Sequence, residues 1–582
     1  MTDTFGEVRV TLHRGGDDLL SAGLGLRGLS GVPARFVSPA APTPEELRRR
    51  AIQSSWRGIA DLGPLGGFGS IYGDVPDVPG REFTTFARLP GARHPHRVLV
   101  QVPDAFDRQR RCLVVSASSG SRGIYGSIAL AGGWGLPRGC AVVYTDKGTG
   151  AGYFDPADNT GVALDGTRTN AGRDELEFEP KGLSSDAGIA AKHAHSGDNP
   201  EADWGRHVLQ AVRFGLAMLD RAFPDEAPFT PQNTRIIATG ISNGGGAVLR
   251  AAGDDAEGLL SAVVALEPNI HVEGHGRAFY DYATEAAVLL PAALAAPAFD
   301  GVPFARTGIA SPPAWALRGA ALRAHGKLEG STPQAQAADA LALLRASGWR
   351  DEALKVAASS TWLDLWRSVS VAYASAYLRR EAGHMPCGFS YEVQRVAGVA
   401  TPADAILRAA WWADGSGVPP HAGINLAGGT DLSLDPTLPG CLCLRELWTG
   451  QGDDARKLRE GLAATAAALP REGLPILVVH GTDDGLIPVS FSSEPYVAWL
   501  RAHDRSPVFW KVPHAQHFDA FLAFPDFGDR HAPLLPFGYA ALDRAWAHLV
   551  EGRALPEDAL VRDTRPRGPG PVTAKTLALP PG

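Results

Sequence analysis

The stretch IIATGISNGGGAVL, Ile236 to Leu249, decides how the rest of the chain is read. The β-branched run TRIIAT (234–239) breaks into Gly240-Ile241-Ser242-Asn243-Gly244, and the apolar AVLRAA (247–252) follows. Strand, sharp turn and helix in that order, with one serine between glycines at the apex, form a G-x-S-x-G nucleophile elbow. The serine takes a strained backbone conformation that lifts its hydroxyl above the sheet. The small flanking residues avoid backbone clashes.

Working outward, seven further runs read as strands bounded by Gly, Pro or Asp: VRVTL (8–12), RVLVQV (97–102), CLVVSA (112–117), CAVVYTD (140–146), SAVVALEP (261–268), PILVVHG (475–481) and PVFWKVP (507–513). Most are apolar on both faces, as in a parallel sheet covered by helices. Residues 202–223 place Val208, Ala211, Val212, Leu216 and Leu219 on one helical stripe. Alternating strands and helices predict an α/β architecture.

Two stretches break the rhythm. Residues 149–200 are rich in Gly, Asp and Asn and read as a surface excursion. Residues 270–445 are Ala-rich and helical, with Trp315, Trp349, Trp362, Trp366, Trp411 and Trp412. That block reads as a large helical cap inserted between two parts of the core, 1–269 and 446–561, with most of its tryptophans forming the cap's own interior. The Pro/Gly-rich tail 562–582 is expected to be mobile.

Composition excludes several classes. A net charge of −8 without a basic stripe argues against nucleic acid as a partner. The longest apolar stretch, Ala286–Phe299, has 14 residues interrupted by Pro291 and Pro297, too short and broken to span a membrane. Five cysteines (112, 140, 387, 441 and 443) imply no disulfide framework; buried thiols or one local bridge are the expectation. Cys441 and Cys443 form a lone C-x-C pair, for which zinc is the lesser reading. The start, MTDTFGEVRV, has no basic and apolar leader pattern, so the expected location is cytoplasmic, or secreted if the N-terminus has been trimmed. Asp146-Lys147-Gly148-Thr149-Gly150 lacks the phosphate-loop pattern, so nucleotide binding is not expected.

A serine hydroxyl needs a base, and behind an elbow of this kind the acid and base follow in the order Ser, Asp, His. LPILVVHGTDDGLIPV (474–489) ends a strand in two acids, of which Asp484 is favoured over Asp483. HAQHFDAF (514–521) follows the last strand and offers two imidazoles. His517, 33 residues past Asp484, is favoured over His514. His517 would take the serine proton and Asp484 would hold its tautomer. The oxyanion hole is assigned to the backbone N–H of Asn243 and one from Gly120 or Ser121 in the loop after CLVVSA. No metal or cofactor is required.

Larger blocks carry a resemblance to a family. SASSGSRGIYGSIALAGGWGLPRGCAVVYTDKGTGAG (116–152), KHAHSGDNPEADWGRHVLQAV (192–212), ISNGGGAVLRAAG (241–253) and AQHFDAF (515–521) make the chain similar to the D-(−)-3-hydroxybutyrate oligomer hydrolases. The resemblance implies an α/β-hydrolase fold, hydrolysis of short linear 3-hydroxybutyrate esters such as dimer and trimer, and Ser242 as the nucleophile. Many members of the family are secreted. The alternative is a tannase or feruloyl-type esterase acting on other small esters. A peptidase of this fold and a non-catalytic binding protein are weaker alternatives.

An oligomer of a hydroxy acid ends in a carboxylate, so a cation near that end is expected, with Arg122 and Lys192 as candidates. In Lys192-His193-Ala194-His195 a strand would turn both rings to one face. His195 is a candidate substrate contact there, although structural hydrogen bonding is the commoner role of such a pair. The partner expected is a small ester, with no membrane. The oligomeric state is not legible.

Overall fold

The computed structural model describes residues 4–180, 188–306, 313–396, 399–401, 403–415, 417–419, 423–431, 433, 435–524, 526–561 and 570–580. Its main sheet contains β1 (Thr4–Phe5), β2 (Arg9–His13), β3 (Gly80–Arg88), β4 (His96–Pro103), β5 (Cys112–Ala117), β6 (Ala141–Thr145), β7 (Arg235–Ile241), β8 (Ala262–Leu266), β9 (Ile476–Gly481), β10 (Val508–Val512) and β11 (Ala559–Leu560). The order is β1-β3-β4-β6-β5-β7-β8-β9-β10-β11, with β2 also on β3. From β6 to β11 every pairing is parallel; β1 to β4 are antiparallel, as is the β4–β6 junction.

All seven flanking runs and the elbow strand are strands. β3 was not anticipated, because GREFTTFAR is half polar. Its Glu82 is nonetheless buried, held by the guanidinium of Arg48 (Nη2 to Oε1, 2.8 Å) and by the hydroxyl of Tyr125 (2.9 Å). A paired charge can sit where the sequence pattern expects an apolar side chain.

Side chains alternate across the sheet and meet two cores. Ile236 and Ala238 of β7 pack with Val208, Val212 and Leu219 of α1 (Trp204–Ala222) and Val248 of α2 (Asn243–Asp254). Ile237 and Ile241 face the opposite core, with Phe537 and Leu542 of a C-terminal helix, Leu535–Glu551. Because β5, β7, β8, β9 and β10 run parallel, the residues following them emerge along one edge. That edge is where a ligand is met in such sheets.

Between β8 and β9 the chain is mostly helical, including α3 (Phe279–Ala293) and α4 (Leu365–Tyr377), with an antiparallel ribbon of Phe389–Val393 and Ile424–Gly428. Trp349 packs edge-on to Trp366 at 5.9 Å within this region. Trp411 and Trp412 instead reach the core. Trp411 meets Tyr153 at 4.9 Å, and the guanidinium of Arg97 lies 4.9 Å from the ring of Trp412. The side chain of Trp315 lies outside the described residues.

The cysteine expectation is corrected. Cys112 bonds Cys140 between neighbouring strands, and Cys387 bonds Cys443. Cys441 is a buried thiol, so the C-x-C pair has no second thiolate for a metal. The tail is also corrected in part. Val572 and Leu577 are buried, and Val572 donates to the Pro64 carbonyl at 2.9 Å. Residues 562–569 and 581–582 lie outside the described residues.

Candidate active site

Ser242 has φ 60° and ψ −125°, outside the ordinary regions for a non-glycine residue. Its neighbours explain how the turn closes. A Cβ on Gly240 would lie 2.4 Å from the backbone of Gly244, and one on Gly244 would lie 2.4 Å from the Ala117 carbonyl oxygen. Both glycines are therefore required by backbone approach. The second contact also places the elbow against the loop after β5.

His517 follows β10. Its Nε2 is 3.0 Å from Ser242 Oγ, and its Nδ1 is 2.7 Å from Asp484 Oδ2. The other carboxylate oxygen of Asp484 accepts from the backbone N–H groups of Leu486 and Ile487, each at 2.8 Å. Burial opposes charge on Asp484, but the His517 imidazole and the nearby His480 outweigh it and hold this carboxyl well below the usual range. Ser242 and His517 are 6% and 5% exposed, so the site is nearly closed. Asp483 points elsewhere: it accepts from the Thr482 hydroxyl at 2.8 Å and faces His531 at 3.6 Å.

The loop after β5 is braced from two sides. Lys147, itself in a left-handed conformation (φ 50°), donates from its buried ammonium to Ser118 Oγ (3.0 Å), Thr149 Oγ1 (3.1 Å) and the Gly120 carbonyl. Burial pushes its pKa down to about 7. On the other side, Ser121 Oγ is 2.6 Å from His193 Nδ1, and His193 Nε2 is hydrogen-bonded to Glu201. All three side chains are buried. Asn243 is braced as well: its amide donates to Tyr373 Oη at 2.6 Å and accepts from Asn269 at 2.9 Å.

Of the cations expected to meet a substrate, Arg122 is half-buried and donates to the Gly58 carbonyl at 3.0 Å. Among the described residues no carboxylate pairs with it, and burial lowers its pKa to about 10. Lys192 is corrected: its ammonium is buried between Asp146 (3.6 Å) and Glu177 (3.9 Å). His195 is corrected too. Lys192–His195 forms a helical turn rather than a strand, so the two rings diverge. His195 Nδ1 accepts from the Ala191 N–H at 3.1 Å, and its ring lies beside Tyr391 at 5.2 Å.

Sequence reasoning missed His193, Glu201, Lys147, Tyr373 and Glu267. The H-x-H pair is the signal in the sequence, but in its helical turn His193 rather than His195 meets the loop after β5. Glu267, the residue after β8, is buried with Oε2 3.3 Å from His517 Nδ1. Glu267, Asp484 and His517 are the one group among the described residues whose ligand atoms lie close enough together for a metal, all within 4.8 Å. Nδ1 of His517 is 2.7 Å from Asp484, while Nε2 of the same ring faces Ser242 Oγ.

The strand order and the strained serine at the end of β7 define an α/β-hydrolase. The family model of 3HB-oligomer hydrolase (3HBOH) matches residues 2–581, and the chain belongs to that family. Its D-(−)-3-hydroxybutyrate oligomer hydrolase relative from Paracidovorax citrulli is 38% identical over 97% of this chain and 90% of its own length. The relative of the same name from Polaromonas naphthalenivorans is 37% identical over 99% and 90%. Among solved structures, tannin acyl hydrolase from Aspergillus niger aligns over 95% of this chain and 84% of its own, at 12% identity and a TM-score of 0.36.

Proposed function

We propose that this chain is a serine carboxylic ester hydrolase that cleaves short linear D-3-hydroxybutyrate oligomers to the free hydroxy acid through an acyl-enzyme. The observation that carries the reading is the alignment of Ser242 Oγ, His517 and Asp484 at 3.0 and 2.7 Å. Ser242 attacks the ester carbonyl while its proton passes to His517 Nε2. Asp484 accepts from Nδ1–H and stabilises the imidazolium. The backbone N–H of Asn243, with one from Gly120 or Ser121, receives the developing oxyanion. His517 then protonates the leaving alkoxide, and a water activated by the same nitrogen releases the acyl group.

Arg122 is the proposed contact for the terminal carboxylate of the oligomer. Its guanidinium sits at Gly58, next to Ile59, whose carbonyl accepts from the N–H of Ala520, three residues past His517. The near-complete burial of Ser242, with its neighbour Asn243 bonded to Tyr373 of α4, favours small esters over a polymer chain. That region, 270–445, is proposed as the cap. Two disulfides favour a compartment that permits them over the reducing cytoplasm. No described helix is long and apolar enough to cross a membrane.

The test is product analysis on D-3-hydroxybutyrate dimer, trimer and polymer and on an aromatic ester, beside Ser242→Ala. Release of monomer from dimer and trimer, lost in the variant, supports the reading. Preference for the aromatic ester overturns the substrate, and activity that survives Ser242→Ala overturns the mechanism.

A further inference from the structure

Two acids, from successive strands, approach the same nitrogen of the imidazole. His517 Nδ1 lies 2.7 Å from Asp484, past β9, and 3.3 Å from Glu267, past β8. Glu267 is fully buried and sits at φ 44°, a left-handed conformation that a glutamate adopts only where its surroundings enforce it.

Two buried carboxylates this close, sharing one imidazole, do not both keep a charge. The groups facing Glu267 are Asp484, Asp519, His517 and the N–H of Gly481. Asp484 has the better claim to the charge. It accepts two backbone N–H groups and the 2.7 Å bond from His517, and His480 Nε2 lies 3.3 Å away. Burial and then the charge of Asp484 push Glu267 well above the usual carboxylate range, so it is neutral while Asp484 is ionised.

We propose that Glu267 is a second positioning acid for His517, sharing one negative charge with Asp484 and able to orient the imidazole in its place. The inference rests on His517 being the base for Ser242. Removing the Asp484 carboxylate lifts the repulsion that adds to burial in keeping Glu267 protonated, and it leaves the imidazolium of His517 with no other anion at Nδ1. Glu267 releases its proton to solvent and accepts the hydrogen bond from Nδ1–H. The Ser242 proton still moves to Nε2, and no bond at Nδ1 is broken.

The test is a double-mutant cycle of Asp484→Ala and Glu267→Gln on the full chain, reading kcat/KM on a p-nitrophenyl ester of a short acid together with the rate of fluorophosphonate labelling. Glu267→Gln is expected to cost about threefold with Asp484 present and at least about tenfold without it, since groups that act as a unit are not additive. The Asp484→Ala enzyme should also show a rate that rises with pH as Glu267 ionises, and Glu267→Gln should abolish that limb. Equal costs in both backgrounds, or Asp484→Ala already as inactive as the double variant, would overturn the proposal. If circular dichroism shows that Asp484→Ala does not fold, the same cycle in Asp484→Asn decides between the same outcomes. Full activity in Ser242→Ala would instead sink the functional reading, independently of Glu267.

Discussion

Asn243, the residue after the candidate nucleophile, donates its side-chain amide to Tyr373 Oη at 2.6 Å, across 130 residues of sequence. The elbow is thereby tied to α4, in the region between β8 and β9. Asn269 holds the other end of the same amide. The backbone N–H that the proposed mechanism assigns to the oxyanion belongs to a residue whose side chain is fixed at both ends, one of them by α4.

Removing the Tyr373 hydroxyl leaves that buried amide without its acceptor. Tyr373→Phe is expected to lower stability by about 1–3 kcal/mol, the cost of an unsatisfied buried donor. It should lower kcat roughly tenfold with little change in KM, because an oxyanion donor acts in the transition state. Thermal melting and steady-state kinetics read the two effects. A drop confined to KM would place Tyr373 in substrate binding instead.

Lys147 and His193 brace the loop after β5 from opposite sides. Lys147→Met frees the Gly120 carbonyl, and His193→Phe frees the Ser121 hydroxyl. Each is expected to cost kcat up to about 10²-fold, the lower end of what losing one oxyanion donor costs. Because both act on one loop, the double variant should lose less than the product of the single losses. Losses that multiply would mean the two side chains act separately.

Acid should weaken what the buried histidines contribute to the fold. His96, His195, His207 and His531 are buried, and burial depresses their pKa values, to about 3 for His96 and His195 and about 4 for His531. Each stays neutral in the folded chain but takes a proton on unfolding below about 6.5. The stability they provide is present above that pH and is lost as pH falls towards 4. Burial raises Asp519 to about 7 and also raises Glu267, Asp198, Asp254 and Asp483, which act in the opposite direction. Each net proton is worth about 1.4 kcal/mol per pH unit, so the histidine part is read by difference. His195→Gln should make the urea midpoint fall less, or rise more, from pH 7 to pH 5 than in the unaltered chain; an unchanged pH dependence would contradict this account.

The disulfide between Cys387 and Cys443 closes a loop of sequence separation 56. Loop-closure entropy gives it up to about 4 kcal/mol of stabilisation. Dithiothreitol, or paired Cys387→Ser and Cys443→Ser, should lower the melting temperature and expose the region between β8 and β9 to protease before the sheet. Digestion that begins in the sheet would show that the bridge does not hold this region.

Much of the fold was legible because it is local. The elbow, seven flanking strands and the α1 stripe each follow from a few neighbouring residues, whose shape and hydropathy fit one backbone conformation. Asp484 and His517 were legible at one remove, since each lies just past a recognisable strand. β3 was not, because the charge of Glu82 is neutralised by Arg48, 34 residues earlier.

The sequence by itself determined the chain's family, its sheet of mostly parallel strands and the three side chains that meet at its carboxyl edge. Only the tertiary structure decided which buried groups stand around them: Glu267 on the same imidazole, His193 rather than His195 at the loop, and Lys192 consumed by Asp146 and Glu177. The physical reason is range. Backbone preference and hydrophobic period act over a few residues, whereas a buried charge or hydroxyl is satisfied by whatever the fold brings within about 3 Å, however distant in sequence.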